Sequence, residues 1–585
     1  MTSPSDTTVT DSPDYAPIDR QFASLVTRHC HTGADTTLLA VAAATALRSV
    51  RNSQSCLDLT QWCAGKDYPA TLPANAEAWR TVLADYPDAV GAPGRDAAPL
   101  ILEDDRLYLQ RYYRSEVRLT RRIRAVTANL PAPDDGNART GELIRSICRH
   151  FTGESLAANR QMQAAATALS SPFTVITGGP GTGKTTVTAV ILALLLRRHP
   201  GWKVALAAPT GKAAARMKES LSNALAHSLT GIEAPLQKRL DSLLPSTIHR
   251  LIGINETTGL PLHNHEAPID ADLVVIDECS MVSLLLFDFL LDAIPPQATV
   301  ILLGDKNQLS SVESGVVFGE ICGYLSAHSP RQLCVLTENH RSRNNPALCA
   351  FANAIVSAGD IRPDYAALFA GNSPQPSAFR RLPLERGSLE SALRQALAAC
   401  HIDPGQWSAP ATLAQARQFS DSFKILCAIR QGKFGVVNLN SVMCKVLKMT
   451  PERYPGGMPV IVLENDSQTG LSNGDVGVCF NGRVHFQDQS FSPVELPPHE
   501  CAFAMTIHKS QGSDADNILM VLPNHPVPIL TRELIYTGIT RTKRNFFMIC
   551  EDSDSENAET LFRRACQNRI HRWSGLSILL ERPQP

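Results

Sequence analysis

Short apolar runs, each closed by glycines or polar residues, mark the chain between about residues 170 and 340. They are Phe173–Thr177, Leu273–Ile276, Val300–Leu303 and Leu333–Leu336. Runs without polar alternation are expected of strands buried on both faces of a parallel sheet. After the first of them comes Val187–Leu196, a continuous apolar stretch that predicts a helix covering such a sheet. Strand and helix in alternation predict an α/β unit over residues 140–345, and residues 346–585 are read as a second. Between about 452 and 500 the texture changes. Val460–Leu463, Asp475–Val478 and Arg483–Phe486 are short β-type runs separated by Asn-Gly and Gly-Gly turns, which predict a small β-barrel inserted into the second unit. Residues 18–139 lack strand periodicity and hold helix-like stretches such as Thr36–Ser49, so a mainly helical N-terminal domain is expected there.

The segments between these elements read as loops. Ala132–Asn137 is rich in Pro, Asp and Gly and predicts a linker, and Asn372–Pro376 predicts a surface loop. Residues 1–17 carry Ser, Thr, Asp and Pro without an apolar centre and predict a disordered tail, not a signal peptide. No run approaches the ~18 uninterrupted apolar residues of a membrane span. At 585 residues the chain exceeds one core, and about three units are expected. Its 55 basic and 56 acidic side chains nearly cancel, so any nucleic-acid path must be a local concentration of charge. Fifteen cysteines occur without a C-x-x-C pair or a His/Cys cluster at zinc spacing. That usage fits small buried hydrophobes in a reducing cytoplasm and argues against an iron–sulfur cluster.

The chemistry begins where the first apolar run ends. Gly178, Gly179, Pro180, Gly181, Thr182, Gly183, Lys184, Thr185 and Thr186 follow the pattern G-x-x-x-x-G-K-T between a strand and a helix. Such glycines let successive backbone N–H groups curl around phosphate oxygens, and the helix start adds partial positive charge. Lys184 is then placed for the β- and γ-phosphates and Thr185 for Mg²⁺. The second run ends in Asp277-Glu278, at the carboxyl end of its strand, where ligands of such sheets gather. Asp277 is expected to hold Mg²⁺ and Glu278 to polarise the attacking water. The third run ends in Gly304–Leu309, which puts Gln308 in place to sense the γ-phosphate or orient water. Arg341 and Arg541 are candidates for stabilising charge that grows on the transferring phosphate. ATP and Mg²⁺ are therefore the expected cofactors.

The ordered set Gly178–Thr186, Ala208–Ala214, Asp277-Glu278, Gly304–Leu309, Arg341, Thr506–Gly512 and Tyr536–Lys543 resembles superfamily 1 DNA helicases. Thr247–Gly253, Leu426–Gly435, Leu471–Gly477 and Leu107–Tyr112 narrow the resemblance to the RecD family, over roughly residues 95–550. Many relatives differ from this chain at Cys279, His340, Ser342 and Asp514. The resemblance implies two RecA-like domains, an SH3-like identity for the β insertion, and 5′→3′ translocation on DNA. It makes Gln161 the adenine-reading glutamine. It places single-stranded DNA over Thr210, Lys212, Thr247 and His249 on the first domain and Thr506, His508, Ser510 and Gln511 on the second. A helix-cap role is the competing expectation for the individual hydroxyls. It also implies RecB and RecC partners, docking through the N-terminal domain, and repair of double-strand breaks by a helicase–nuclease whose cutting is done by a partner chain. Two other readings stay open on the residues alone: a stand-alone helicase, and a nucleotide-dependent scaffold that does not unwind.

Overall fold

Each apolar run becomes a strand in the computed structural model of the chain. It describes residues 14–583 apart from 31–34, 95–96, 129–136, 339–345, 358–378, 383, 385–387, 488 and 554–556. Arg341, most of the tail, residues 132–136 of the linker and the Asn372–Pro376 loop lie outside the described residues. Among those described, four sheets form.

The N-terminal sheet comprises β1 (Leu57–Asp58), β2 (Val90–Gly91), β3 (Leu100–Glu103) and β4 (Arg106–Leu109), in the order β1-β4-β3-β2. It adds strands to a region expected to be mainly helical. Strands of two to four residues are too short for a period of two to register in the sequence. Helices Pro17–Arg28, Thr37–Arg51 and Ala76–Ala84 pack with this sheet around the fully buried Trp79. The Trp79 indole N–H donates to the Tyr68 hydroxyl at 2.7 Å, so its one polar atom is satisfied inside the core.

The first α/β unit holds β5 (Phe173–Gly178), β6 (Val204–Ala208), β7 (Ser246–Thr247), β8 (Leu273–Ile276), β9 (Thr299–Gly304) and β10 (Leu333–Leu336). All pairings are parallel, in the order β10-β5-β9-β8-β6-β7. Successive residues feed opposite layers. Val175, Val274 and Leu302 face a core completed by Phe287 and Phe318, whereas Ile176, Val275 and Leu303 face helix Lys184–Arg198. Burial on both faces is why these strands lack polar alternation.

The second unit contains β11 (Phe379–Arg381) and β12 (Phe423–Cys427). A block of β13 (Pro459–Val462), β14 (Val476–Phe480), β15 (Arg483–His485), β16 (Ser490–Phe491) and β17 (His499–Cys501) follows, then β18 (Ala504–Thr506), β19 (Ala515–Val521) and β20 (Thr542–Ile549). Parallel pairing gives the order β11-β20-β19-β12-β18, while β13–β17 form a separate antiparallel sheet ordered β16-β15-β14-β13-β17. Val460, Val462, Cys479 and Val484 of that sheet share one core with Ile425, Leu519 and Val521. The insertion is thus packed onto the second unit.

Residues after β20 return to the front of the molecule. Helix Leu576–Glu581 packs against helices Gln110–Ala128 and Val317–His328. The buried Glu116 carboxylate accepts from Ser55 Oγ (2.6 Å), Ser574 Oγ (3.1 Å) and the Gly575 amide (3.2 Å). A Cβ at Gly575 would lie 1.9 Å from the Tyr108 hydroxyl, so only glycine fits. Among the described residues no helix is long and apolar enough to cross a membrane.

Candidate active site

The carboxyl ends of β5, β8 and β9 open on a cavity of about 750 Å³ between the two α/β units. Gln161, Pro180, Gly181, Gly183, Lys184, Thr185, Thr186, Asp277, Glu278 and Gln308 line it from the first unit, and Arg541 reaches in from the second. Gly178, Gly179 and Thr182 face the smaller cleft on the other side of the same loop.

The glycine loop is shaped by positions no other residue could take without strain. Gly183 has φ +84°, and a Cβ there would sit 2.2 Å from Gln161 Nε2. That amide instead donates to the Thr182 carbonyl at 2.9 Å, which locks helix Arg160–Ser170 onto the loop. Asn159 starts the helix by accepting from the amides of Gln161 (2.9 Å) and Met162 (3.0 Å). Thr182 Oγ1 donates to the Gly179 carbonyl at 2.8 Å. Lys184 Nζ donates to the carbonyls of Gly178 (2.5 Å) and Gly179 (3.2 Å), so the ammonium is tethered at the mouth of the loop.

Asp277 is pushed up to about 6, first by burial and then by the Glu278 carboxylate, with Lys184 pulling the other way. Two carboxylates in one desolvated corner lack enough positive charge. Oxygen donors suit a hard divalent cation, and the Thr185 hydroxyl opens on the same cavity. The residues present therefore fit Mg²⁺. Glu278 has φ +54°, a left-handed backbone for a side chain that gains nothing from it sterically, and its amide donates to Asp277 Oδ1 at 2.8 Å. Strain of this kind persists where surrounding structure over-determines the position.

Gln308 is buried, and its Nε2 donates to Asp305 Oδ2 at 3.0 Å. The same Asp305 oxygen accepts from the Tyr536 hydroxyl of the second unit at 3.1 Å. One residue on, the Leu309 amide donates to Thr537 Oγ1 (3.0 Å) and the Leu309 carbonyl accepts from Gln511 Nε2 (3.0 Å). Leu309 itself belongs to the core of the second unit. The loop after β9 is a hydrogen-bonded link between the two units.

One charged residue here carried no sequence signal. Arg216, on helix Gly211–His227, lines the cavity and forms an ion pair with Asp514 of the second unit. Burial works against its charge, but Asp514, Glu278 and Asp277 outweigh that and raise its affinity for the proton. Asp514 also lies 3.7 Å from Arg541, which is itself only 1% exposed. An arginine on an amphipathic helix reads in sequence as a solvated group. Only the fold shows it crossing the cleft.

The residues expected to touch DNA divide into three groups. Thr210, Thr247 and Thr506 each accept from a backbone amide three residues on, at 3.2–3.3 Å, a bond that caps the local turn and leaves each O–H able to donate. Ser510 and Gln511 depart from expectation. Ser510 Oγ donates to the Ile507 carbonyl at 2.7 Å and Gln511 is spent on Leu309, so both are buried and turned inward. The segment closes a 3-10 turn, His508–Ser510, whose backbone needs those partners. His249 is exposed and His508 half-buried, and desolvation pushes both imidazoles below their ordinary range. Lys212 Nζ is buried without a hydrogen-bond partner and is pushed down to about 7 by burial and then by Lys424. It lines a second cleft, of about 950 Å³, bounded by both units and by the β13–β17 sheet. Six Lys or Arg side chains face four Asp or Glu there, so positive charge is concentrated locally on a chain of net charge −1.

Comparison with known proteins places this arrangement. Residues 15–108 match the family model described as the RecBCD enzyme subunit RecD, N-terminal domain; 161–314 match an AAA domain; 501–549 match a UvrD-like helicase C-terminal domain. The RecBCD enzyme subunit RecD of Mycolicibacterium smegmatis is 35% identical, over 92% of this chain and 92% of its own. The chain belongs to the RecD family of superfamily 1 helicases. The RecD subunit of Haemophilus influenzae is 31% identical, over 86% of this chain and 85% of its own length. The ATP-dependent RecD2 DNA helicase of Deinococcus radiodurans is 28% identical, over 78% of this chain but only 58% of its own.

Proposed function

We propose that the chain is an ATP-driven DNA translocase, the 5′→3′ motor subunit of a RecBCD-type helicase–nuclease that works in repair and degradation of broken DNA. One observation carries the reading. A single cavity gathers Lys184, Thr185, Asp277, Glu278 and Gln308 from one α/β unit and Arg541 from the other. Lys184 binds the β- and γ-phosphates, with the loop amides and the helix start beneath them. Thr185 and Asp277 would hold Mg²⁺, which when bound would supply charge neutralisation to the phosphates. Glu278 orients water, Gln308 reads the γ-phosphate, and Arg541 meets the charge that grows in the transition state. Gln161 borders the nucleotide from the loop's edge. Because these groups belong to both units, nucleotide draws the units together and product loss lets them part.

The link at Leu309 couples that motion to Thr537 and Gln511, next to the segment Thr506–Gly512. Single-stranded DNA lies along the basic cleft, held through phosphates without reading sequence. Domains are assigned as 18–139 for docking partners, 140–345 and 346–585 as RecA-like units, and about 452–500 as an SH3-like insertion beside the DNA. The partners are RecB- and RecC-type chains in the cytoplasm. The match of residues 15–108 to the RecBCD enzyme subunit RecD, N-terminal domain, favours this over a stand-alone helicase.

The test is Lys184→Gln in the full chain, assayed alone and with its partners. DNA-stimulated ATP hydrolysis and unwinding are expected to vanish while the thermal melt is unchanged. Near-normal turnover would overturn the reading. ATP-dependent partner binding without any strand-dependent turnover in the wild type would favour the scaffold.

A further inference from the structure

Residues 311–315 lie immediately beyond Gln308 and Leu309, and their carbonyls are held from outside the loop. Arg572, from the segment between helices Ala558–Gln567 and Leu576–Glu581, donates to the carbonyls of Ser311 (2.6 Å), Glu313 (2.9 Å) and Gly315 (2.7 Å). Ser53 Oγ donates to the Val312 carbonyl, the Gly315 amide donates to the Ser53 carbonyl at 3.3 Å, and Ser314 Oγ donates to the Val50 carbonyl at 3.2 Å. Val50 lies in the last turn of helix Thr37–Arg51 in the N-terminal unit, and Ser53 follows its C-cap Asn52. Burial pushes the Arg572 guanidinium down to about 10. Carbonyls are poor compensation for a desolvated charge, so the fork here serves geometry.

The loop also borders the expected DNA side. Glu313 acts on the His249 imidazole, and the charge of Arg572 acts on that of His508. Arg572 therefore grips the segment that joins the cavity, the N-terminal unit and the flanks of the DNA path.

We infer that Arg572 is a positioning residue for ATP hydrolysis: by fastening residues 311–315 it keeps Gln308 and Leu309 in register with the second unit. Through Val50 and Ser53 the same clamp carries the state of the N-terminal unit to the ATP cavity. The inference rests on the reading of Gln308 as the γ-phosphate sensor.

The test uses the full chain assembled with its partner chains and compares Arg572→Ala, Arg572→Lys, Gln308→Ala and the double variant Arg572→Ala/Gln308→Ala. A coupling residue of this kind commonly shifts the coupled equilibrium by a factor of about 2–30. The kcat of DNA-stimulated hydrolysis should fall about tenfold in Arg572→Ala, with KM for ATP within about twofold of wild type. Arg572→Lys should recover part of the loss, and the double variant should be no slower than Gln308→Ala alone. Additive losses, an unchanged kcat, or a loss confined to KM would overturn the inference. If Arg572→Ala proves unstable, Ser314→Ala breaks the other end of the clamp, and the same non-additivity with Gln308→Ala is required of it. A Gln308→Ala variant with normal turnover would instead defeat the sensor reading, and an active Lys184→Gln would defeat the proposed function itself.

Discussion

Replacing Arg541 by alanine separates a catalytic role from a structural one, because the geometry assigns a different size to each. Arg541 and Asp514 are 1% and 3% exposed, and their charged atoms lie 3.7 Å apart. At an effective dielectric of 20, that separation corresponds to a gross attraction of about 4 kcal/mol, most of it offset by desolvation. Asp514 keeps Arg216 as a partner after the substitution. The carboxylate is not orphaned, and the loss of folding stability should be about 1–3 kcal/mol. Turnover should suffer more. Removing a cation that acts on the transferring phosphate costs on the order of 10³-fold or more, equivalent to about 4 kcal/mol of barrier.

The measurements are DNA-stimulated ATPase under saturating nucleotide, direct binding of a fluorescent ATP analogue, and thermal melts of the full chain. The expected pattern is a large fall in kcat, nucleotide affinity within a few-fold, and a modest drop in Tm. Arg541→Lys should restore much of the stability and little of the rate, since a point charge can pair with Asp514 but lacks the planar fork. Collapse of nucleotide affinity with a normal residual rate would refute the assignment and leave Arg541 as a purely structural bridge.

Three other substitutions probe separate links. Glu278→Gln should bind ATP normally yet turn it over at least about 100-fold more slowly, consistent with the size of general-base contributions; failure to bind nucleotide in a binding assay would make Glu278 structural. Gln511→Leu removes the hydrogen bond to the Leu309 carbonyl and should cut DNA stimulation of the ATPase several-fold while nucleotide binding stays intact, and equal losses with and without DNA would argue against coupling through this contact. Gly575→Ala forces a methyl onto the Tyr108 hydroxyl and should destabilise the chain by about 1–3 kcal/mol, read as a lower denaturation midpoint, with no effect expected in a Tyr108→Phe background only if the ring can shift.

What could be read from sequence was whatever repeats locally. Strands β5, β8, β9 and β10 were legible because burial on both faces makes each a continuous apolar run ending at a functional cluster. Lys184, Thr185, Asp277 and Glu278 were legible because phosphate chemistry demands those types at fixed offsets from strand ends. The N-terminal strands were not, since two-residue pairings such as Leu57–Asp58 leave no pattern. Arg216 escaped for another reason. Its meaning lies in a contact with Asp514 far along the chain, and nothing local distinguishes it from a surface polar group. Ser510 and Gln511 were expected at DNA through the family resemblance alone, and no local pattern shows that their side chains turn inward. In the fold, the 3-10 turn and the Leu309 carbonyl consume those side chains.

The stretch from Gly304 to Gly315 shows why the motor needs so little specialised machinery. At its start Asp305 ties Gln308 to Tyr536, in its middle Leu309 is held by Thr537 and Gln511, and at its end residues 311–315 are gripped by Arg572 and the N-terminal unit. A segment of twelve residues pinned at three places cannot shift at one without loading the others. Packed interfaces respond to such load by switching between discrete arrangements, since close-packed interiors deform little. On the proposed reading, a small move of Gln308 towards a γ-phosphate would be delivered to the second unit, where the cleft lined by Lys212 and Lys424 is partly built. Hydrolysis would reverse it. The lever is the strand-end loop itself, and the rest of the fold supplies its fulcrums.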